Sequence, residues 1–171
     1  MKEKKIAVRD IALIGMMIAA LETAKLSLSF LPNVELVTLL IILYTLFFGW
    51  RIFYVMPAFI LIEGCLYGFG TWWVMYAYIW PLLAVLAWLF RKKESVWFWS
   101  VFSGAYGLFF GALCSVFYFF VGGPKMAFVW WVAGIPYDLI HCASNAVLCA
   151  VLFLPLSHVM GRFGAEKYLR K

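Results

Sequence analysis

Long apolar runs parted by short polar breaks fill almost the whole chain, and this pattern most narrows what it can fold into. A helix needs about 20 apolar residues to cross a bilayer, with roughly 17–25 the usual range. Six runs approach that length. The first covers Asp10 to Leu31. The second, Leu36 to Phe48, ends at Gly49-Trp50-Arg51, and the third runs from Ile52 to Gly64. The glycine-rich Tyr67-Gly-Phe-Gly70 is a turn signal. The fourth run, Thr71 to Phe90, stops at Arg91-Lys-Lys-Glu94. The fifth, Val96 to Val121, ends at Gly122-Gly-Pro-Lys125, and the sixth covers Ala127 to Met160. The second and third are short for full spans and are expected to tilt, stop part-way or extend into flanking loops. Irregular backbone at membrane depth is tolerated where it lines a cavity.

The composition excludes a water-soluble fold. Apolar residues make up 67% and charged residues 13%, against roughly half and a quarter in globular domains. The expectation is an all-α membrane protein, a six-transmembrane-helix bundle in which residues 1–171 form a single integral membrane domain. No cleavable leader is expected, because the first apolar run flows into a long helix without a small-residue cleavage site. Cys65, Cys114, Cys142 and Cys149 lie in or beside apolar segments without metal-type spacing and read as packing residues.

The net charge of +6 does not point to nucleic acid, because the basic residues sit at the chain ends and in the breaks between runs. With a cytoplasmic N-terminus and an even number of spans, the inside set is Lys2, Lys4, Lys5, Arg9, Arg51, Arg91, Lys92, Lys93, Arg162, Lys167, Arg170 and Lys171. Only Lys125 stays outside, and Lys25 falls within the first span. The positive-inside rule favours this arrangement, with both termini cytoplasmic, in a multi-pass protein of the cell membrane.

Polar groups inside apolar runs are expensive and face an interior, a cavity or a partner. Asp138, His141 and Asn145, at offsets of three and seven, share one helical face. Asp138 and His141 can relay protons, pair, hold a polar ligand or belong to an interhelical hydrogen-bond network. Asn145, about 10 Å further along the helix than Asp138, reads as a packing residue. Glu22 and Lys25, three apart, can pair along one face, as a structural ion pair or a ligand contact. Glu63 stands near the outer end of the third run, as a ligand group or an interface cap. Trp72, Trp73, Tyr76, Tyr78, Trp80, Trp130 and Trp131 fall near outer ends, where aromatic belts form. Beside Asn33, Glu35 and Glu63 they also suit an outward-opening small-molecule pocket. Gly15 with Ala19, and Ala20 with Ala24, are small pairs at a spacing that lets another helix approach. The chain lacks the Gly-x-x-x-x-Gly-Lys-Ser/Thr phosphate loop and a His-Glu-x-x-His metal motif, so no cofactor or metal is expected.

Three segments carry a family resemblance: Arg9-Asp-Ile-Ala-Leu-Ile-Gly-Met-Met-Ile-Ala-Ala20; Leu31-Pro-Asn-Val-Glu-Leu-Val-Thr38 with the apolar run after it; and Gly134-Ile-Pro-Tyr-Asp-Leu-Ile-His-Cys-Ala-Ser-Asn145 on to Leu154-Pro155. Over residues 6–160 the chain resembles the substrate-binding S component of energy-coupling factor (ECF) vitamin transporters. The resemblance implies a non-enzymatic subunit that captures a vitamin or related organic micronutrient from outside. A transmembrane coupling subunit and two cytoplasmic ATPases would drive uptake. By position it implies ligand contacts from Asn33, Glu35, Glu63, Tyr67, Trp72, Tyr76, Trp130, Tyr137, Asp138 and His141. It also implies docking through the first helix. There the chain departs from the family's Ala-x-x-x-Ala pattern, with Met16 four after Ala12, and Gly15, Ala19, Ala20 and Ala24 supply the small face. Two other classes stay open: a small membrane enzyme using Glu63, Asp138 and His141 as acid and base, and a stand-alone proton-coupled carrier. An assembly subunit is a third option.

Overall fold

The structure, a computed structural model, describes residues 7–162. Among these residues it is all-helical: α1 (Val8–Leu28), α2 (Val37–Phe48), a 3-10 turn (Gly49–Arg51), α3 (Ile52–Tyr67), α4 (Thr71–Leu89), α5 (Val96–Leu108) and α6 (Phe110–Arg162). Four stretches are long and apolar enough to cross a membrane: Val8–Leu28, Val37–Tyr67, Thr71–Leu89 and Val96–Arg162. The chain is an all-α membrane protein. Of the basic residues that set the expected orientation, Lys2, Lys4, Lys5, Lys167, Arg170 and Lys171 lie outside the described residues.

Six separate runs are expected, and four continuous helical stretches are found, because two of the breaks are single-glycine reversals. Gly49 (φ 60°) ends α2, and Gly123 (φ 77°) is the one non-helical position inside α6. Glycine adopts such positive φ without steric cost. Arg51 pairs with Asp10, its Nε 2.8 Å from Asp10 Oδ1, while Lys25 pairs with Glu63 near the other end. The two pairs hold α1 and α3 side by side in one direction, so α2 between them runs the opposite way. All 12 residues of α2 are buried. A 12-residue helix is about 18 Å long. Apolar on every side, it serves as the centre of the bundle rather than a lipid-facing wall.

After Gly123 the chain runs back along itself. Tyr118 stacks on Trp130 with ring centroids 4.8 Å apart, and Gly104, Gly107 and Gly111 face Ala146, His141 and Asp138 in turn. The descending order of partners is that of an antiparallel hairpin. A Cβ on Gly107 would come within 2.8 Å of the His141 backbone, and one on Gly111 within 2.3 Å of the Asp138 carboxylate. The glycine stripe therefore brings two backbones close together and seats the Asp138–His141 face against the bundle. The fifth run also differs from expectation in breaking at Phe109, between α5 and α6. Tyr106 donates to the Ile79 carbonyl (2.6 Å) and Tyr78 to that of Leu113 (2.8 Å), tying α4 to this hairpin. Of the cysteines expected to pack, Cys114 and Cys149 are buried, Cys142 is half-buried and Cys65 is exposed.

Gly107→Ala is expected to cost about 1–3 kcal/mol, because the new methyl meets backbone that cannot yield locally. Gly15→Ala, with nothing within 4 Å, is expected to leave stability within about 0.5 kcal/mol of the parent. Thermal unfolding of the two purified variants in one detergent checks the contrast.

Candidate functional site

The loop between α1 and α2 is the first wall of the site. The Leu31 carbonyl accepts from the Val34 amide (3.3 Å), with Pro32 second and Asn33 third in the turn at φ 60°. That is the pattern of a type II turn, where proline presets one φ and asparagine tolerates the positive one. The turn aims the Asn33 carbonyl at α6, and the Ser144 hydroxyl donates to it at 2.8 Å. It also carries Glu35 inward. One Glu35 oxygen accepts from the Thr38 amide at 2.8 Å, satisfying an open donor at the start of α2. The other lies 3.1 Å from His141 Nε2. An ionised carboxylate can only accept, so this nitrogen carries the proton. The His141 ring also meets Phe110 edge-on, with centroids 4.9 Å apart.

The second wall is built by α1, α3 and α4. Lys25 crosses from α1 to Glu63 on α3, whose side chain is fully buried. The Lys25 ammonium lies 4.9 Å from the centre of the Tyr67 ring, 5.1 Å from Tyr76 and 5.7 Å from Trp72. Tyr76 and Trp72 meet edge to face, and Tyr76 also faces Trp80. Trp73 donates to the Ile60 carbonyl at 2.8 Å, which holds the start of α4 against α3. The expected partner of Lys25 on its own helix, Glu22, makes no hydrogen bond. Both its oxygens are buried without one, as are Glu63 Oε1 and Asp138 Oδ2.

The expected site residues therefore divide. Glu35 and His141 bond to each other, and Glu63, Tyr67, Trp72 and Tyr76 gather round Lys25. Asp138 accepts from the Gly111 amide at 2.9 Å. Asn145 donates to Thr38 at 3.3 Å and links α6 to α2. Trp130 stands apart in the hairpin on Tyr118, about 17 Å along the helix from His141. The Tyr137 ring is exposed, although it stands four residues before His141 on the same helix. Asn33 contributes its backbone. Glu63, Asp138 and His141, weighed as acid and base, each bond a different partner: Lys25, Gly111 and Glu35. On α1, Gly15, Ala19 and Ala20 are exposed and Ala24 is half-buried. Lys25, weighed as an ion pair or a ligand contact, stands at the centre of the second wall, and Ser144 completes the site without having been expected in it, although it is the residue three after His141.

Compared with protein-family models, curated proteins and solved structures, the chain has no match.

Burial pushes the Glu35 carboxyl up, but the hydrogen bonds from His141 and Thr38 and the electrostatic attraction of His141 together outweigh it. The group titrates below its ordinary 4.5. A lowered folded value means the stability it adds is complete above the ordinary value and is lost as pH falls through the lowered one. Thermal stability of the parent is therefore expected to fall as pH drops below the ordinary 4.5 and through the lowered value, with a smaller drop in Glu35→Gln. Parallel melting curves from pH 7 to pH 3 check this; equal losses in both proteins would contradict it.

Proposed function

We propose that this chain is a substrate-capture subunit of an energy-coupling factor transporter, binding a vitamin-like organic compound from outside for uptake driven by partner ATPases. In this reading the six helical legs are six spans, with both termini cytoplasmic and the loop of Asn33 and Glu35 on the outer side. The observation that carries it is the pinning of that loop. Glu35 and the Asn33 carbonyl are held by His141 and Ser144 of α6, beside an aromatic-walled cluster with unpartnered buried carboxylate oxygens. Aromatic walls with a few converging polar groups are the usual make-up of a small-molecule site. The loop's few bonds suit a cover that opens to admit a ligand. The open small-residue face at Gly15 and Ala19 suits a helix of the coupling subunit. The reading needs no phosphate loop in this chain, since ATP is hydrolysed by the partners.

The purified protein is expected to retain a small molecule that mass spectrometry of a denatured sample identifies. Glu35→Ala and His141→Ala are expected to weaken its recapture by about 10- to 100-fold, the usual range for losing a hydrogen bond to a charged group. Gly15→Leu with Ala19→Leu is expected to abolish uptake in the presence of the partner subunits and to leave capture intact. Uptake by the chain alone in proteoliposomes under a proton gradient would overturn the proposal in favour of a carrier.

A further inference from the structure

Lys25 has more around it than a structural ion pair requires. One carboxylate, Glu63, suffices to pair its charge. Yet three rings, Tyr67, Trp72 and Tyr76, also surround the ammonium at 4.9–5.7 Å, a distance at which the negative face of each ring attracts a cation. A ring set of this kind is how proteins hold organic ammonium groups. The charge balance is also one cation short. Glu63 and Glu22 are two buried carboxylates beside one ammonium. Glu63 Oε1 and both oxygens of Glu22 have no hydrogen-bond partner. Glu22 lies three residues before Lys25 on α1, a spacing at which the two side chains meet on one helical face.

We infer that the cage of Tyr67, Trp72, Tyr76 and Glu63 is a binding site for a monovalent organic cation, with the Lys25 ammonium standing in for that cation when no ligand is bound. On binding, the ligand's cationic centre takes the position over the three rings and pairs with Glu63. Lys25 swings along α1 to Glu22. Two carboxylates then face two cations, and neither charge is left alone in an apolar interior, the arrangement that low-dielectric surroundings favour. Entry is from the end of α3, where Tyr67 is 49% exposed and Gly68 turns the chain away at φ 87°. The aromatic walls select a soft organic cation over a strongly hydrated metal ion, which would require more oxygen ligands than two carboxylates supply.

The inference names the ligand class of the capture site proposed above and rests on that reading for the ligand's route. The probe is choline, with its uncharged isostere 3,3-dimethylbutanol as control. Both are titrated at constant ionic strength against the full chain in lipid nanodiscs, with tryptophan fluorescence as readout. Saturable choline binding without binding of the isostere is expected. Lys25→Met removes the competing ammonium and is expected to raise choline affinity by about tenfold or more, because the competent state no longer has to displace it. Adding Glu63→Gln to Lys25→Met is expected to abolish binding. Tyr76→Leu alone is expected to weaken choline by about tenfold, which keeps the test open if Lys25→Met does not fold. A folded Lys25→Met protein that ignores choline, isostere binding as strong as choline's, or parental choline affinity in Tyr76→Leu would each overturn the cage. The two readings fail separately. Partner-driven uptake of a neutral or anionic compound would sink the cation class and leave the capture subunit standing. Choline binding by a chain that transports alone would do the reverse.

Discussion

A polar group without a partner in an apolar interior costs more than almost any packing contact returns, and the architecture is arranged around that cost. The helices can satisfy their own backbones, but the side chains of Glu35, Glu63, Lys25, Asp138, His141 and Asn145 cannot satisfy themselves. Each is met by another element: Thr38 and His141 for Glu35, α3 for Lys25, the Gly111 amide for Asp138, and Thr38 for Asn145. These bonds specify register where apolar surfaces alone would let helices slide. The glycine stripe of α5 and α6 makes the arrangement attainable, because only a backbone without Cβ atoms lets Asp138 reach an amide on the facing leg.

The helical class could be read directly from the apolar runs, and so could the positions of most turns. The breaks at Gly49 and Gly123 are legible as glycines set close to the charges of Arg51 and Lys125, whereas the break at Phe109 lies inside an uninterrupted apolar run and carries no such mark. The one-face stripe of Asp138, His141 and Asn145 follows from helical spacing alone, and all three are buried as that spacing requires. What spacing does not supply is the partner across the fold. Glu22 is the neighbour of Lys25 along the chain, yet Glu63, 38 residues away, receives its ammonium. Trp130 and Tyr137 show the converse: proximity in sequence to the stripe says little about how deeply a ring is buried or how far along the helix it stands.

The site combines two dissimilar halves. The half around Glu35 is mutually satisfied, with both carboxylate oxygens engaged and a loop held down by few contacts. The half around Lys25 holds buried acceptor atoms in excess of the donors present. Tyr76, on α4, faces Lys25 directly, and a run of ring contacts from Tyr76 through Trp80 and Phe110 to His141 joins the two halves.

The leg that follows Gly123 has a mechanical meaning of its own. Helical geometry continues unbroken from residue 124 to 162 despite Pro136 and Pro155, a rod of about 57 Å against a hydrocarbon core of about 30 Å. His141 and Ser144 sit near its midpoint. The preceding leg braces this rod along its length, from Gly104 against Ala146 to Tyr118 on Trp130, so the loop carrying Asn33 and Glu35 is latched to a stiff doubled leg rather than to a single helix.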